Sequence, residues 1–264
     1  MSRLRQVREQ AGPIFKRYHP EHGAALPLIL KPVINLEAQE VPDASLPVGG
    51  SKLGGLPDLG TQPWPEDAGD PMLFVAQFNL TELRPFDEDA LFPLSGLLSF
   101  FLGRRAIENG RMEPEHWAVR YEPALEALRR ASPPPETDGE WATPAHAVAF
   151  CAGMHPWGDV GIGQADGIRL SLHYEQVIFD PEWQAVTGEG DLTGEAYLLG
   201  DTVATMLESA AEEEGETALL TLPHTSGVFP FVDQGNRLSF AFLIPRADLT
   251  GADFRRVRLT YHMS

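Results

Sequence analysis

The polar side chains of this 264-residue chain could do chemistry in only a few arrangements. His146, Cys151 and His155 are the tightest group of soft metal ligands, a set zinc would take if all three converged. If residues 146–151 form one strand, His146 and Cys151 project to opposite faces, so no metal is expected. Glu66, Asp67 and Asp70 lack the regular ligand alternation of a calcium loop and read as a solvated turn. His173 and His224, each beside an apolar stretch, have the ring nitrogens of an acid or base, and each also fits a surface histidine. His224 is kept as a binding candidate. Serines 95, 99 and 226 lack the flanking glycines of a nucleophile elbow. Gly161-Ile-Gly163 with Gly167 misses the dinucleotide spacing by one, and an alternating strand follows it in place of a phosphate-binding helix. Phosphate loops are absent, and no cofactor is expected.

Three residues remain. Trp64 stands between Pro63 and Pro65 and is held rigidly, either as a plug over a sheet or as the aromatic wall of a groove. Gln77 lies in the apolar run Met72–Phe78, where an amide must find partners for its donors and its acceptor. The turn backbone around Gly54 and Gly55 can supply them, which makes Gln77 a structural clamp first and a ligand amide second. Asn79 ends that run as a cap, since without export its Asn-Leu-Thr never meets a glycosylation machinery.

The elements that must position these residues begin with a helix on Leu4, Val7 and Ala11, expected to stop at Gly12-Pro13 with Arg3, Arg5 and Arg8 in water. Residues 27–35 have strand composition, with Pro32 marking an edge or a bulge. Met72–Phe78 is a strand buried on both faces, and Leu97–Leu102 and Trp117–Tyr121 are further strands. Residues 125–141, with prolines at 133–135, read as a long surface excursion. His146–Cys151 is a buried strand, Gly153–Gly167 a glycine-rich connection and Ile168–Tyr174 an alternating strand. Val203, Met206, Leu207 and Ala210 mark a helix capped near Asp201 and ending in Glu212–Glu214. Strands at 218–222, 237–244 and 257–261 close the chain. Gly96-Leu-Leu-Ser-Phe100 is echoed by Leu238-Ser-Phe240 behind Gly235, which suggests two similar halves.

Composition narrows the partners. Twenty basic against 38 acidic residues give a net charge of −18, which repels nucleic acid and anionic membranes and attracts a basic protein. No run reaches the roughly 18 apolar residues of a membrane span. One cysteine and an N-terminus without a secretory pattern predict a cytoplasmic protein.

One resemblance is specific. Ser51, Lys52, Gly54, Gly55, Pro57, Leu59, Trp64, Pro65, Ala76, Gln77, Asn79, Pro93, Gly96, Leu98, Phe100 and Phe101, with the later Leu198–Gly200 and Asp233–Phe240, resemble the YwqG-like family of bacterial proteins of unknown function. The resemblance covers roughly the last four fifths of the chain and departs from the family pattern at Thr221, which stands where a second glutamine is expected. The sequence therefore predicts an α+β fold, mostly antiparallel sheet with few helices, as one domain over residues 1–264 with a helix within residues 1–20 docked on it. The function expected is non-catalytic binding of a basic protein partner by an acidic surface. The alternative is an enzyme or small-molecule binder whose cleft is formed by residues 51–102, floored by Gln77 and Asn79 and rimmed by Trp64.

Overall fold

The computed structural model describes residues 3–18, 20, 30–134, 143–156, 177, 180–187, 196–199, 216–223, 226–229, 231–233 and 236–263. The expected strand Ile168–Tyr174 and helix around Val203–Ala210 lie outside them, as do His173, Glu212–Glu214 and His224. The fold is α+β and mostly antiparallel sheet with few helices.

Among the described residues eleven strands form the main sheet: β1 (Leu30–Glu40), β2 (Lys52–Leu53), β6 (Leu73–Asn79), β7 (Leu97–Leu102), β8 (Trp117–Glu122), β10 (His146–Pro156), β11 (Ala196–Leu198), β12 (Glu216–Leu222), β13 (Val232–Asp233), β14 (Asn236–Pro245) and β15 (Arg258–Met263). Their order is β13-β14-β12-β11-β1-β10-β2-β6-β7-β8, with β15 also pairing β14. Two small ladders lie apart from it: β3 (Asp58–Leu59) with β9 (Arg129–Arg130), and β4 (Glu66–Asp67) with β5 (Asp70–Pro71).

This order is nearly a palindrome, and the register shows why. In β6·β7 the pairing slips at Val75, so that Phe74 faces Phe101 and Ala76 faces Phe100. In β12·β14 it slips in the same way at Leu219, so that Ala218 faces Leu243 and Leu220 faces Phe242. A bulge leaves one residue unpaired and bends its strand, so the two slips fix the correspondence: Gln77 with Thr221, Phe100 with Phe242. Beyond the bulges, Lys52 pairs with Gln77 as Tyr197 pairs with Thr221. Each β7-like strand is followed by a short helix, α3 (Arg104–Asn109) or α5 (Arg246–Thr250), a 3₁₀ turn and an outer strand. The long pair β1·β10 joins the halves, with β1 beside β11 and β10 beside β2, so each half takes its innermost strand from the other stretch of chain.

The echo around Ser99 and Ser239 is thus real at the level of units but two residues out of step. A slide of two keeps every side chain on its own face, so alternation alone cannot detect it. The corresponding phenylalanines, Phe100 and Phe242, meet edge to face at 5.1 Å in the core between the halves.

Three other expectations are corrected. Helix α1 runs from Arg3 through Pro13 to Tyr18, because Ile14 and Phe15 continue the buried stripe of Val7 and Ala11 and Phe15 packs on Trp183 at 4.7 Å. Its end is tied to α4 (Pro181–Thr187), where Asp180 accepts from the Tyr18 hydroxyl at 2.8 Å and caps the helix through the Glu182 N–H at 2.8 Å. Strand β1 is central, not an edge: Ile34–Leu36 are paired on both sides, and Pro32, two residues before them, stands opposite Met154 of β10 with no break in register. Strand β10 is half-buried: its core-facing residues Val148 and Phe150 pack inward while Ala149, on the other face, is exposed.

Candidate functional site

The motif residues converge on the outer face of the first half, the face away from the main core. Lys52 and Gln77 stand opposite each other on β2 and β6, and neither is exposed to solvent. Directly after β2 the chain reverses through Gly54 and Gly55, at φ +62° and +72°. A Cβ on Gly54 would lie 2.3 Å from the Pro144 carbonyl oxygen, and one on Gly55 2.3 Å from a carboxylate oxygen of Asp43. Only glycine serves there, by conformation and by space. The reversal brings the loop back over the face and sets Asp58 above Gln77.

Every polar group of the Gln77 amide is then used. Its Oε1 accepts from the Asp58 N–H at 2.9 Å, and its Nε2 donates to the Gly50 carbonyl at 2.8 Å and to Asp58 Oδ2 at 2.6 Å. Asp58 also accepts from the Gly49 N–H at 2.8 Å and from Arg130 Nε at 2.6 Å. Arg130 reaches on to the Asp43 carboxylate and to the Leu46 carbonyl. Lys52 Nζ donates to Asp43 Oδ1 at 3.1 Å and to the Leu56 carbonyl, above the ring of Phe74. Burial pushes the Lys52 ammonium below its usual range, opposed by Asp58 and Asp43. Burial raises the Asp43 carboxyl, but Lys52 and Arg130 outweigh it and hold it below the usual carboxylate range. Burial lowers and the two carboxylates raise Arg130, with the carboxylates prevailing. Four ionised side chains are therefore satisfied by one another and by loop backbone, the condition under which buried charge is tolerated.

Asn79 and Trp64 complete the arrangement. Asn79 Oδ1 accepts from the Thr81 N–H at 3.0 Å and caps the short helix α2 (Leu80–Leu83), while its Nδ2 donates to the Gly49 carbonyl at 2.9 Å. Trp64 Nε1 donates to the Met72 carbonyl at 2.8 Å, and its ring meets Phe101 at 6.4 Å over a small cluster with Met72 and Phe74. In this geometry Trp64 lies as a plug on the sheet, and Gln77 and Asn79 both hold the segment at Gly49-Gly50.

Sequence reasoning missed five residues. Arg130 sits in the stretch read as a surface excursion, yet β9 pairs with β3 and Leu128 is buried; no periodicity marks a lone ladder residue. Asp43 and Asp58 look like ordinary turn acids. Asp67, read as part of a solvated turn, is 3% exposed and sits 2.9 Å from His116 Nδ1, which is buried as well. Asp67 Oδ2 also accepts from the Arg105 N–H at 3.4 Å, pinning the β4–β5 hairpin to the start of α3. His116 Nε2 faces Glu113 at 3.9 Å. Asp67 and His116 thus join two loops.

His146 and Cys151 lie five residues apart on β10 and so on opposite faces, with the His146 ring against the Pro144 carbonyl at 2.8 Å. Burial and the Glu37 carboxylate push the Cys151 thiol up, contrary to a nucleophilic cysteine. Among the described residues no three His, Cys, Asp or Glu side chains are placed to share a metal. Nor is any described helix long and apolar enough to cross a membrane.

Residues 51–262 match a family described as a domain of unknown function, DUF1963. No curated protein matches the chain.

Proposed function

The chain belongs to the DUF1963 family of domains of unknown function, and we propose that it is a non-catalytic binding protein of the YwqG-like kind, cytoplasmic, contacting a basic protein partner through its acidic surface. What carries this reading is the fate of the charges. Several arginines are held in ion pairs within the chain: Arg130 with Asp43 and Asp58, Arg256 with Asp248, Arg258 with Glu216, Arg17 with Asp180 and Glu182. With 20 basic against 38 acidic residues, the excess of acid is left to the surface. Such a field steers a basic partner into contact.

The alternative cleft between Trp64, Gln77 and Asn79 is less well supported, because the Gln77 amide is buried and fully engaged with its own loop. The test is capture of partners on the immobilised protein at ionic strengths that set the Debye length at about 30 Å and about 3 Å. The partner is expected at the low ionic strength and lost at the high one. A partner retained equally at both would overturn the electrostatic reading.

A further inference from the structure

The core between the halves contains no residue of α1. The helix lies instead on the outer face of the second half, where it packs on α4 and β1 while α4 packs on β10. Val33 of β1, which alternates with the core-facing Ile34, is 2% exposed on that side. Two kinds of contact hold α1 in place. Val7, Ala11, Ile14 and Phe15 form a buried stripe, with Phe15 and Trp183 both shut off from solvent. At its end Arg17 pairs with Asp180 and Glu182, and the Tyr18 hydroxyl donates to Asp180.

Charge sets this helix apart from the rest of the chain. Residues 1–18 hold five of the 20 basic residues and one of the 38 acidic ones, so a cationic helix is docked on a strongly anionic remainder. Glu37, on the same face of β1 as Val33, is exposed and adds to the acid there. By itself the helix is weak: Pro13 stands inside it, and no acid in its first turn meets the dipole. Sixteen residues of such a sequence owe their helical order to the face they pack on. Docking and folding of α1 are thus one event, and a second helix of the same character could take its place without disturbing the main core.

We infer that this face is the docking surface for the basic partner, that the partner presents an amphipathic helix with apolar residues spaced as at 7, 11, 14 and 15 and basic residues beside them, and that α1 is the internal occupant it displaces. The inference rests on the proposed function and gives it a location and a regulation. Affinity for the partner is lowered by the fraction of molecules in which α1 is docked.

The probe is a labelled peptide of residues 1–20, titrated with the full chain at low ionic strength and followed by fluorescence anisotropy. The full chain carrying Phe15→Ala and Arg17→Ala has a loosened α1, and it is expected to bind the peptide saturably, about tenfold or more tighter than the wild-type chain does. A peptide with Phe15→Ala should bind the loosened chain about tenfold or more weakly, and so should the native peptide once Asp180→Asn is added to the chain. Circular dichroism melts check folding, and Arg17→Ala alone, at a half-exposed side chain, serves if the double variant does not fold. No saturable binding by the folded, loosened chain, or equal binding of the native and substituted peptides, would overturn the surface. A final arm uses the partner captured at low ionic strength: the loosened chain should retain more of it, and the peptide should elute it. Equal retention by both chains with no elution by the peptide would overturn this inference and leave the proposed function standing, whereas failure to capture any salt-sensitive partner would overturn the proposed function and this inference with it.

Discussion

The two halves are built on one plan and finished differently. In the first, Gln77 on the outer face is answered by Asp58 and Gly50, and the charges of Lys52, Asp43, Asp58 and Arg130 close on each other beneath a loop shaped by Gly54 and Gly55. In the second, the corresponding residue is Thr221, with Ala218, Ala241 and Leu243 around it and its hydroxyl unpartnered. The shared bulges at Val75 and Leu219 show that the backbone plan is common to both. The difference lies in the side chains on the outer face: the first half pairs its polar groups internally, while the second leaves the Thr221 hydroxyl unpaired.

The largest expected effect sets the ion pairs against each other. Arg130→Met leaves Asp58, 1% exposed, without its guanidinium, and should cost about 3–5 kcal/mol in chemical denaturation. Arg258→Met, in the Glu216 pair of the second half where the guanidinium is more exposed, should cost less, about 1–3 kcal/mol. Equal costs would erase the contrast. Next comes Gly54→Ala, where both a positive φ and the Pro144 carbonyl oppose a methyl group, and a loss of about 2 kcal/mol or more is expected; a melting temperature equal to wild type would show that the loop is not a rigid organiser. Smaller still, and of opposite sign, is Thr217→Val. Its buried hydroxyl on the core face has no partner, and the first half places Leu73 at that position. A gain of about 1 kcal/mol should appear as a raised denaturation midpoint.

The mildest test uses pH. The Asp43 pKa is lowered in the folded state, so its contribution is fully present above the unfolded value near 3.9 and is lost as pH falls through the folded one. Stability measured from pH 5 downward should therefore fall, and Asp43→Asn should flatten that limb. An unchanged acid limb in the variant would remove Asp43 from the network.

Much of the fold was legible because strands declare themselves by alternation and by apolar runs: Leu73–Phe78 of the first run and the 218–222 stretch each lie in a strand whose inner and outer residues are buried. Gln77 was legible as a clamp because an amide in such a run has few ways to be satisfied. Arg130 was not, since its partner Asp58 is far away in the chain and the ladder joining them is two residues long. Asp67 was hidden for the same reason, its partner being His116 across two loops. Pro13 misled because propensity says stop where the packing of Ile14 and Phe15 says continue. The halves were sensed two residues out of step because bulges carry no letter of their own.

One comparison tests the central claim, that the corresponding positions 77 and 221 do opposite things, most directly: the unfolding free energies of Gln77→Leu and Thr221→Val. Leucine at 77 orphans the Gly50 carbonyl, the Asp58 N–H and one Asp58 oxygen–amide bond, and should destabilise by about 3 kcal/mol. Valine at 221 removes a hydroxyl with no partner and should leave stability unchanged or raise it by about 1 kcal/mol. Two losses of similar size would contradict the account, because Thr221 would then be tied into its own half just as Gln77 is.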